Sequence, residues 1–165
     1  MNNTDNQAQS YQSFEEPTAL NHVADFHRLF DMPVLEAPQI PSPVRCALRV
    51  SLLQEELDEL REAIEANDLR AAADALCDLQ YVLSGAILEF GLAGRFKEFF
   101  DEVQRSNMSK ACGSMEEALS TQEMYLREKS TESSIVLKGD KYLVYRKEDG
   151  KVLKSVAYSP AQIKV

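Results

Sequence analysis

Cysteine is scarce in this chain, and an excess of positive charge is missing altogether. Only three cysteines occur, and no two of them form a CxxC pair. Such scattered thiols argue against a disulfide framework and against a thiolate zinc site, and they predict reduced cysteines. The 27 Asp and Glu outnumber the 18 Lys and Arg, which gives a net charge of −9. A chain this acidic is a poor candidate for binding nucleic acid or an anionic membrane.

Long apolar runs are also missing. No stretch approaches the roughly 18 consecutive apolar residues that a membrane-spanning helix requires. The opening segment MNNTDNQAQSYQSFEE has neither a basic start nor an apolar stretch, so it predicts no signal peptide. We therefore expect a soluble, cytoplasmic protein without a membrane partner.

The 165 residues, 44% of them hydrophobic, are enough for one domain with a sizeable core. Residues 1–18 are polar and rich in Asn, Gln and Ser, which predicts a mobile arm. Residues 19–130 are expected to form a helical domain, and residues 131–165 a small appendage. The appendage is basic, since residues 135–165 contain seven Lys and Arg but three Asp and Glu.

Helix boundaries follow from capping residues and proline. Ser42 followed by Pro43 predicts a helix start, because a hydroxyl can cap a helix whose first position tolerates proline. Asn67 or Asp68 is expected to cap the next helix, which should stop at Gly91. The motif SMEE predicts a later start through a capping box. The predicted helices cover residues 21–30, with Asn21 as the cap, and residues 43–66, 69–90, 92–106 and 115–129.

Beyond the helices the sequence changes to IVLKGDKYLVYRKEDGKVLKSVAY. Its valines, tyrosines and leucines, with EDG in the middle, predict a β-hairpin that turns at EDG. The predicted fold class is therefore all-α, a bundle of four to five helices with a small C-terminal β-hairpin.

Acidic residues crowd the helix that begins at Pro43. Three of them fall opposite its apolar stripe and are expected to be ordinary exposed surface. Glu56 and Glu59 instead flank the stripe one turn apart, so both can reach a cleft beside it. Glu55 lies further round and is a second-rank candidate. The acids on the exposed side are Asp58, Glu62 and Glu65, and the stripe consists of Leu53, Leu57, Leu60 and Ile64.

The following helix is apolar around most of its circumference, apart from a narrow stripe of Asp74, Asp78, Tyr81 and Gly85. A helix of this kind is expected to be buried in the bundle. Two aspartates at i and i+4 repel each other, and their burial is costly without a cation or hydrogen bonds. Either the stripe faces solvent, or it meets the glutamates of the preceding helix and holds a hard cation, above all Mg²⁺.

The two acidic segments together resemble a known motif. EELDE, followed on the next helix by DALCD, resembles the EExxE…ExxD motif of the all-α nucleoside triphosphate pyrophosphohydrolases. That superfamily includes MazG-like proteins, dimeric dUTPases, dCTP pyrophosphatases and phosphoribosyl-ATP pyrophosphohydrolase. VADFHRLFDMPV, DLQYVLSGAI, FDEVQRSNMSK and DGKVLKSVAYSP resemble its phosphoribosyl-ATP-pyrophosphohydrolase-like branch, so the likeness covers about residues 21–163.

The resemblance implies a metal site made of carboxylates. By the motif, Glu56, Glu59 and Asp78 hold Mg²⁺, with Mn²⁺ as an alternative. Glu55 takes a supporting or base role, so Glu55, Glu56 and Glu59 are the implied catalytic residues. The implied cofactor explains how an acidic site binds a substrate of charge −4, since the two would otherwise repel.

The chain departs from the motif at one position. The glutamate of ExxD would fall at Ala75, and Asp74 is the apparent replacement, because i and i+4 still share a helix face. The resemblance also implies that Asn107 and Lys110 contact substrate phosphates, where lysine supplies a point charge. Tyr81 either contacts the base or packs in the core, with packing slightly favoured.

The implied reaction is hydrolysis of the α–β phosphoanhydride of a nucleoside triphosphate, which gives a nucleoside monophosphate and pyrophosphate. The resemblance also implies a homodimer or homotetramer with sites at helix interfaces. His27 is expected to pack or cap rather than bind metal, since Mg²⁺ prefers oxygen.

Two other functions stay open from the sequence. One is phosphoribosyl-ATP pyrophosphohydrolase itself, in histidine biosynthesis, although the basic hairpin tail and proline-rich entry are not associated with that compact enzyme. The other is a non-catalytic helical dimerisation module, which Ala75 favours. Retention of the remaining motif residues argues against this module, and a pool-cleaning nucleotide pyrophosphohydrolase ranks above both alternatives.

Overall fold

The computed structural model describes residues 13–165, and the first twelve residues of the predicted arm lie outside the described part. The chain divides into two compact units. We call residues 14–97 the N-terminal helical unit and residues 98–164 the C-terminal unit. The predicted fold class is confirmed: residues 13–165 form five α-helices, and a two-stranded antiparallel hairpin follows them.

Three helices make up the N-terminal helical unit: α1, Ala19–Leu29; α2, Pro43–Glu65; and α3, Leu69–Glu89. The predicted starts of α2 and α3 are confirmed. Ser42 Oγ accepts a hydrogen bond from Arg45 N at 3.4 Å, and one Asp68 oxygen accepts from Arg70 N at 2.9 Å. Asn67 between the helices has φ 53, a left-handed conformation that asparagine tolerates. This short turn makes α2 and α3 an antiparallel pair.

The start of α1 differs from the prediction. The cap position is Thr18 rather than Asn21, and Thr18 makes no side-chain cap hydrogen bond. Asn21 N lies inside the first turn, where it donates to Thr18 O at 3.1 Å. The helix begins two residues earlier than predicted, and backbone hydrogen bonds close its first turn.

The proline-rich connector between α1 and α2 is fastened to the end of α3. Leu35 N donates to Leu88 O at 3.0 Å, and Gln39 N donates to Phe90 O at 3.1 Å. Gly91 ends the helix with φ 66, and a Cβ there would lie 2.1 Å from Ala37 O. Glycine is therefore required at this position both for its backbone angle and for the close approach of the connector.

The fourth predicted helix is divided. Ala93–Arg95 form a 3₁₀ turn, and the α-helix α4 runs over Phe96–Met108. The fifth helix, α5, covers Met115–Lys129 as predicted, with Ser114 Oγ accepting from Glu117 N at 3.1 Å. The reciprocal half of the capping box differs, since the Glu117 carboxylate accepts from Gly113 N rather than from the cap residue.

The hairpin forms, but its turn lies elsewhere than predicted. Strands β1, Ser133–Lys138, and β2, Lys141–Arg146, are joined at Gly139-Asp140, and Gly139 supplies the positive φ that the tight turn needs. EDG forms a second turn after β2, where Asp149 binds Arg146 Nε at 2.7 Å. Both segments contain Gly beside Asp, so the composition alone did not separate them.

Each unit has its own small core. In the N-terminal helical unit Val23, Ala24 and Leu88 are buried together. In the C-terminal unit the core joins α5, the hairpin and the segments beside them. Its buried residues are Cys112, Ala118, Tyr125, Val144 and Leu153. The three cysteines of the chain are free, as expected.

Much of the apolar surface of α2 and α3 is exposed in the single chain. Leu69, Leu76 and Leu83 repeat every seven residues along α3 and are 85%, 55% and 42% exposed. Leu57 and Ile64 of the predicted α2 stripe are exposed too. The expectation that α3 is buried on most sides is therefore wrong for one chain.

The hydropathy of α3 also corrects the expectation about membrane spans. Within residues 13–165 one helix, Leu69–Glu89, is long and apolar enough by length and composition to cross a membrane. The same description fits a helix packed in a bundle, and this helix carries Asp74 and Asp78 and packs against α2.

Candidate active site

The α2–α3 pair brings the two acidic segments together around Glu56. This side chain is half-buried, and its pKa is raised above the ordinary 4.5. Burial is the largest cause, because it penalises the charged form. Repulsion by Asp78, Glu59, Glu55 and Asp74 follows, in that order. Five carboxylates therefore share one electrostatic environment, as expected if the acidic stripe of α3 faces the glutamates of α2.

The two aspartates differ in how strongly they repel Glu56. Asp78 acts on Glu56 most strongly of the four acids, and Asp74 most weakly. Ala75, which stands at the position of the motif glutamate, is 2% exposed, whereas Asp74 is exposed. Asp74 thus belongs to the acidic group, but at its edge.

The donor set is chemically suited to a hard cation, since every candidate side chain offers carboxylate oxygen. Glu55, Glu59, Asp74 and Asp78 are all exposed. In the part of the chain that the structure describes, no three His, Cys, Asp or Glu side chains converge closely enough to hold a metal ion. Exposed carboxylates keep their rotamer freedom.

The acids predicted to be surface residues differ from this group. Glu62 and Glu65 are exposed, as predicted. Asp58 is half-buried and already satisfied, because it lies 3.0 Å from Arg61 and accepts from Gln54 at 2.9 Å. None of these three acids is among the largest causes of the raised pKa of Glu56.

Tyr81 continues the acidic stripe of α3 and lies partly exposed. Its ring meets Phe26 of α1 edge-on, with centroids 5.7 Å apart. It also lines a cavity of about 390 Å³ between the two helices. The other lining residues are Pro17, Ala19, His22, Val23, Leu76, Cys77 and Gln80.

A buried ion network at the end of α3 was missed by the sequence analysis. Glu89 is 1% exposed, and its carboxylate accepts hydrogen bonds from both Arg45 and Arg49. Burial opposes its charge, but the two arginines outweigh that cost and hold the pKa of Glu89 below its ordinary value. His27 completes the network: its Nδ1 lies 2.8 Å from Pro33 O, and its Nε2 lies 3.4 Å from Arg49.

His27 is therefore a buried residue that packs in the core, as expected. Gly85 makes the network possible, since a Cβ there would lie 2.7 Å from Arg49 Nη1. A glycine inside a helix, together with arginines spaced i and i+4 on α2, is the sequence signal that could have indicated this network.

The implied phosphate-binding residues lie in the C-terminal unit. Lys110 Nζ donates to Asn107 Oδ1 at 2.8 Å, so the two side chains act as a pair. Asn107 is exposed and Lys110 is half-buried. Asn107 lies in the last turn of α4, and Lys110 follows shortly after the helix ends.

Comparison with known proteins gives the family. The model of the phosphoribosyl-ATP pyrophosphohydrolase family matches residues 23–107, which is half of the chain. The chain therefore belongs to the phosphoribosyl-ATP pyrophosphohydrolase family, within the all-α nucleoside triphosphate pyrophosphohydrolase superfamily. The match contains both acidic segments.

A relative from Acanthamoeba polyphaga mimivirus is itself an uncharacterized protein. It is 36% identical over 110 residues, which cover 60% of this chain and 43% of the viral protein. The chain thus matches less than half the length of this relative, and the similarity carries no substrate or partner.

Proposed function

We propose that this protein is a Mg²⁺-dependent nucleoside triphosphate pyrophosphohydrolase that cleaves the α–β phosphoanhydride of an NTP or dNTP. Its products would be a nucleoside monophosphate and pyrophosphate. The observation that carries the proposal is the group of five carboxylates that α2 and α3 gather around Glu56. Membership of the family supports the same reaction class.

Glu56, Glu59 and Asp78 would hold the cation, and Asp74 would contribute from the edge. Mg²⁺, or Mn²⁺ in its place, supplies charge neutralisation and polarisation of phosphate oxygens when bound. The raised pKa of Glu56 supports this role, because crowded carboxylates without a cation repel one another. Glu55, exposed beside them, would take up the proton of the attacking water as a general base.

Asn107 and Lys110 would contact the substrate phosphates. Their mutual hydrogen bond supports a joint role, since it presents an amide and an ammonium group side by side. Tyr81 would contact the base from the wall of the cavity between α1 and α3. That cavity is large enough for a nucleobase and offers His22 and Gln80 as polar groups.

A homodimer or homotetramer would cover the exposed leucines of α3. The heptad spacing of Leu69, Leu76 and Leu83 supports helix-to-helix packing, since such a row forms a continuous apolar seam. The second copy would in this way bury the surface that one chain leaves open.

The test is a pyrophosphate-release assay with Mg²⁺ over all canonical NTPs and dNTPs and over phosphoribosyl-ATP. Release from one or a few nucleoside triphosphates is the expected result. Release from phosphoribosyl-ATP alone would replace the proposal with the second candidate, which the matching family model specifically favours. No release from any substrate, with no thermal shift in Mg²⁺, would favour the non-catalytic module.

A further inference from the structure

The chain after β2 returns to α4 and forms a segment that we call the strap, residues 154–162. Ser155 N donates to Lys110 O at 3.2 Å, and Gln162 N donates to Glu102 Oε1 at 2.9 Å. Both ends of the strap are thus fastened to α4 or to the residues directly after it. Strap side chains consequently have fixed positions beside the proposed phosphate-binding pair.

The strap brings a second lysine to this place. Lys154 Nζ lies 4.3 Å from the centre of the Tyr158 ring, within cation–π distance. The Tyr158 hydroxyl in turn lies 3.1 Å from the buried Ser106 Oγ, which fixes the ring against α4. A flexible lysine is therefore held by an aromatic ring that is itself anchored one residue before Asn107.

Both lysines lie close enough to Tyr158 to affect its pKa. Its pKa is lowered, first by the hydrogen bond with Ser106 and then by the positive charges of Lys154 and Lys110. The polar contacts of the two ammonium groups are neutral: Asn107 Oδ1 for Lys110 and the Tyr158 ring for Lys154. Their combined positive charge is not cancelled by these contacts.

Two acids touch the strap, and both are already occupied. Glu102 accepts from Gln162 N and also from Arg105 Nε. Glu117 accepts a hydrogen bond from Ser155 Oγ with one oxygen and from Gly113 N with the other, at 2.9 Å. The bond with Ser155 fastens the strap to α5, and Glu117 does not pair with Lys154. An arriving anion would therefore meet two lysines and an amide on one face of the C-terminal unit.

We propose that Lys154, positioned by Tyr158, is a second phosphate-binding cation that acts with Lys110 and Asn107 on the polyphosphate of the nucleotide. This inference rests on the proposed function and deepens it. The family match ends at residue 107, so the strap lies outside the matched segment.

Titration of inorganic tripolyphosphate into the full-length protein without metal tests the site directly, by isothermal calorimetry. Lys154→Ala should weaken binding about tenfold, since one charge-assisted contact of an exposed lysine is lost. Lys151→Ala is the matched control, because it removes the same charge three residues earlier, next to the EDG turn. Lys154→Arg should retain most of the affinity for tripolyphosphate. Tyr158→Phe should retain it as well, because the phenylalanine ring still offers its face to Lys154.

Steady-state kinetics then separates this inference from the proposed function. In a working hydrolase, Lys154→Ala should raise KM about tenfold and leave kcat within about twofold, since the contact is to substrate phosphate. If hydrolysis and tripolyphosphate binding respond equally to Lys154→Ala and Lys151→Ala, the inference about Lys154 is overturned and the proposed function stands. Tripolyphosphate binding that depends on Lys154, in a protein that hydrolyses no nucleotide, would support the site and overturn the proposed function.

Discussion

The two units of this chain differ in how completely they bury their apolar surface. The C-terminal unit closes a core within one chain, where Cys112, Ala118 and Val144 are fully buried. The N-terminal helical unit leaves a row of leucines on α3 exposed and buries an ion network instead. The acidic site lies on the N-terminal helical unit, whose apolar surface is less completely buried. Under the proposed function, a cation would neutralise the charge of the unit that carries the carboxylates, and another copy of the chain would cover its apolar face.

The largest expected effect is a loss of stability of the N-terminal helical unit. Glu89→Gln should cost about 3–5 kcal/mol of unfolding free energy, because Arg45 and Arg49 would keep their charges without a carboxylate. Urea unfolding followed by circular dichroism measures the loss. An unchanged midpoint would show that the network does not stabilise the unit.

The same network predicts a pH dependence. The folded pKa of Glu89 lies below its ordinary 4.5, so its stabilising contribution is fully present above that pH. It is lost as pH falls through the lowered folded pKa. Wild type should therefore lose stability on acidification below pH 4.5 more steeply than Glu89→Gln does.

The second effect concerns the cation. At a Mg²⁺ concentration 100 times its dissociation constant, wild type should gain about 2.7 kcal/mol of stability by mass action. Glu56→Gln should remove most of this gain, since Glu56 lies at the centre of the carboxylate group. Glu62→Gln, an exposed acid on the same helix, is the matched control and should keep it. Equal thermal shifts in both variants would contradict the site.

The third effect concerns the apolar face of α3. Leu76→Glu should raise the dissociation constant of the oligomer at least about tenfold, because a charge would be buried in the seam. Sedimentation velocity over a concentration series measures the change, with helical content as a check on folding. Leu126→Glu on α5 is the control, at a leucine that is 56% exposed in the other unit. A wild-type protein that is monomeric throughout would contradict the proposal.

The smallest effect lies on the surface of the C-terminal unit. The pKa of Glu102 is lowered to about 2, first by its hydrogen bonds with Arg105 and then by that with Gln162 N. Arg105→Ala should return this pKa toward 4.5, as followed by carboxyl-carbon NMR. Because Arg105 is exposed and Glu102 is only half-buried, the folded-state stability should hardly change, in contrast with the buried Glu89.

The sequence predicts the α2–α3 hairpin well because its boundaries depend on local caps. Ser42, Pro43 and Asp68 act within three residues of their own positions, so spacing alone reveals them. The grouping of acids around Glu56 was also predictable, since helix periodicity and a short turn fix which faces meet. Which of these acids bind metal stays a prediction.

Other features depend on contacts between distant segments. The partners Arg49 and Glu89 stand forty residues apart, and no local pattern pairs them. The hairpin turn was placed at EDG rather than at Gly139-Asp140, because both segments offer glycine next to an acid. The strap could not be predicted from the sequence either, because the contact between Lys154 and Tyr158 and their position beside α4 depend on the folded hairpin.

The measurement that tests the central claim most directly compares two glutamates one turn apart on α2. Pyrophosphate release in Mg²⁺ should fall at least about 100-fold in Glu59→Gln, because a proposed metal ligand is lost. Glu62→Gln should keep the wild-type rate, since Glu62 is exposed and outside the carboxylate group. Equal rates in the two variants would contradict the account, as would a wild-type protein that releases no pyrophosphate from any nucleotide.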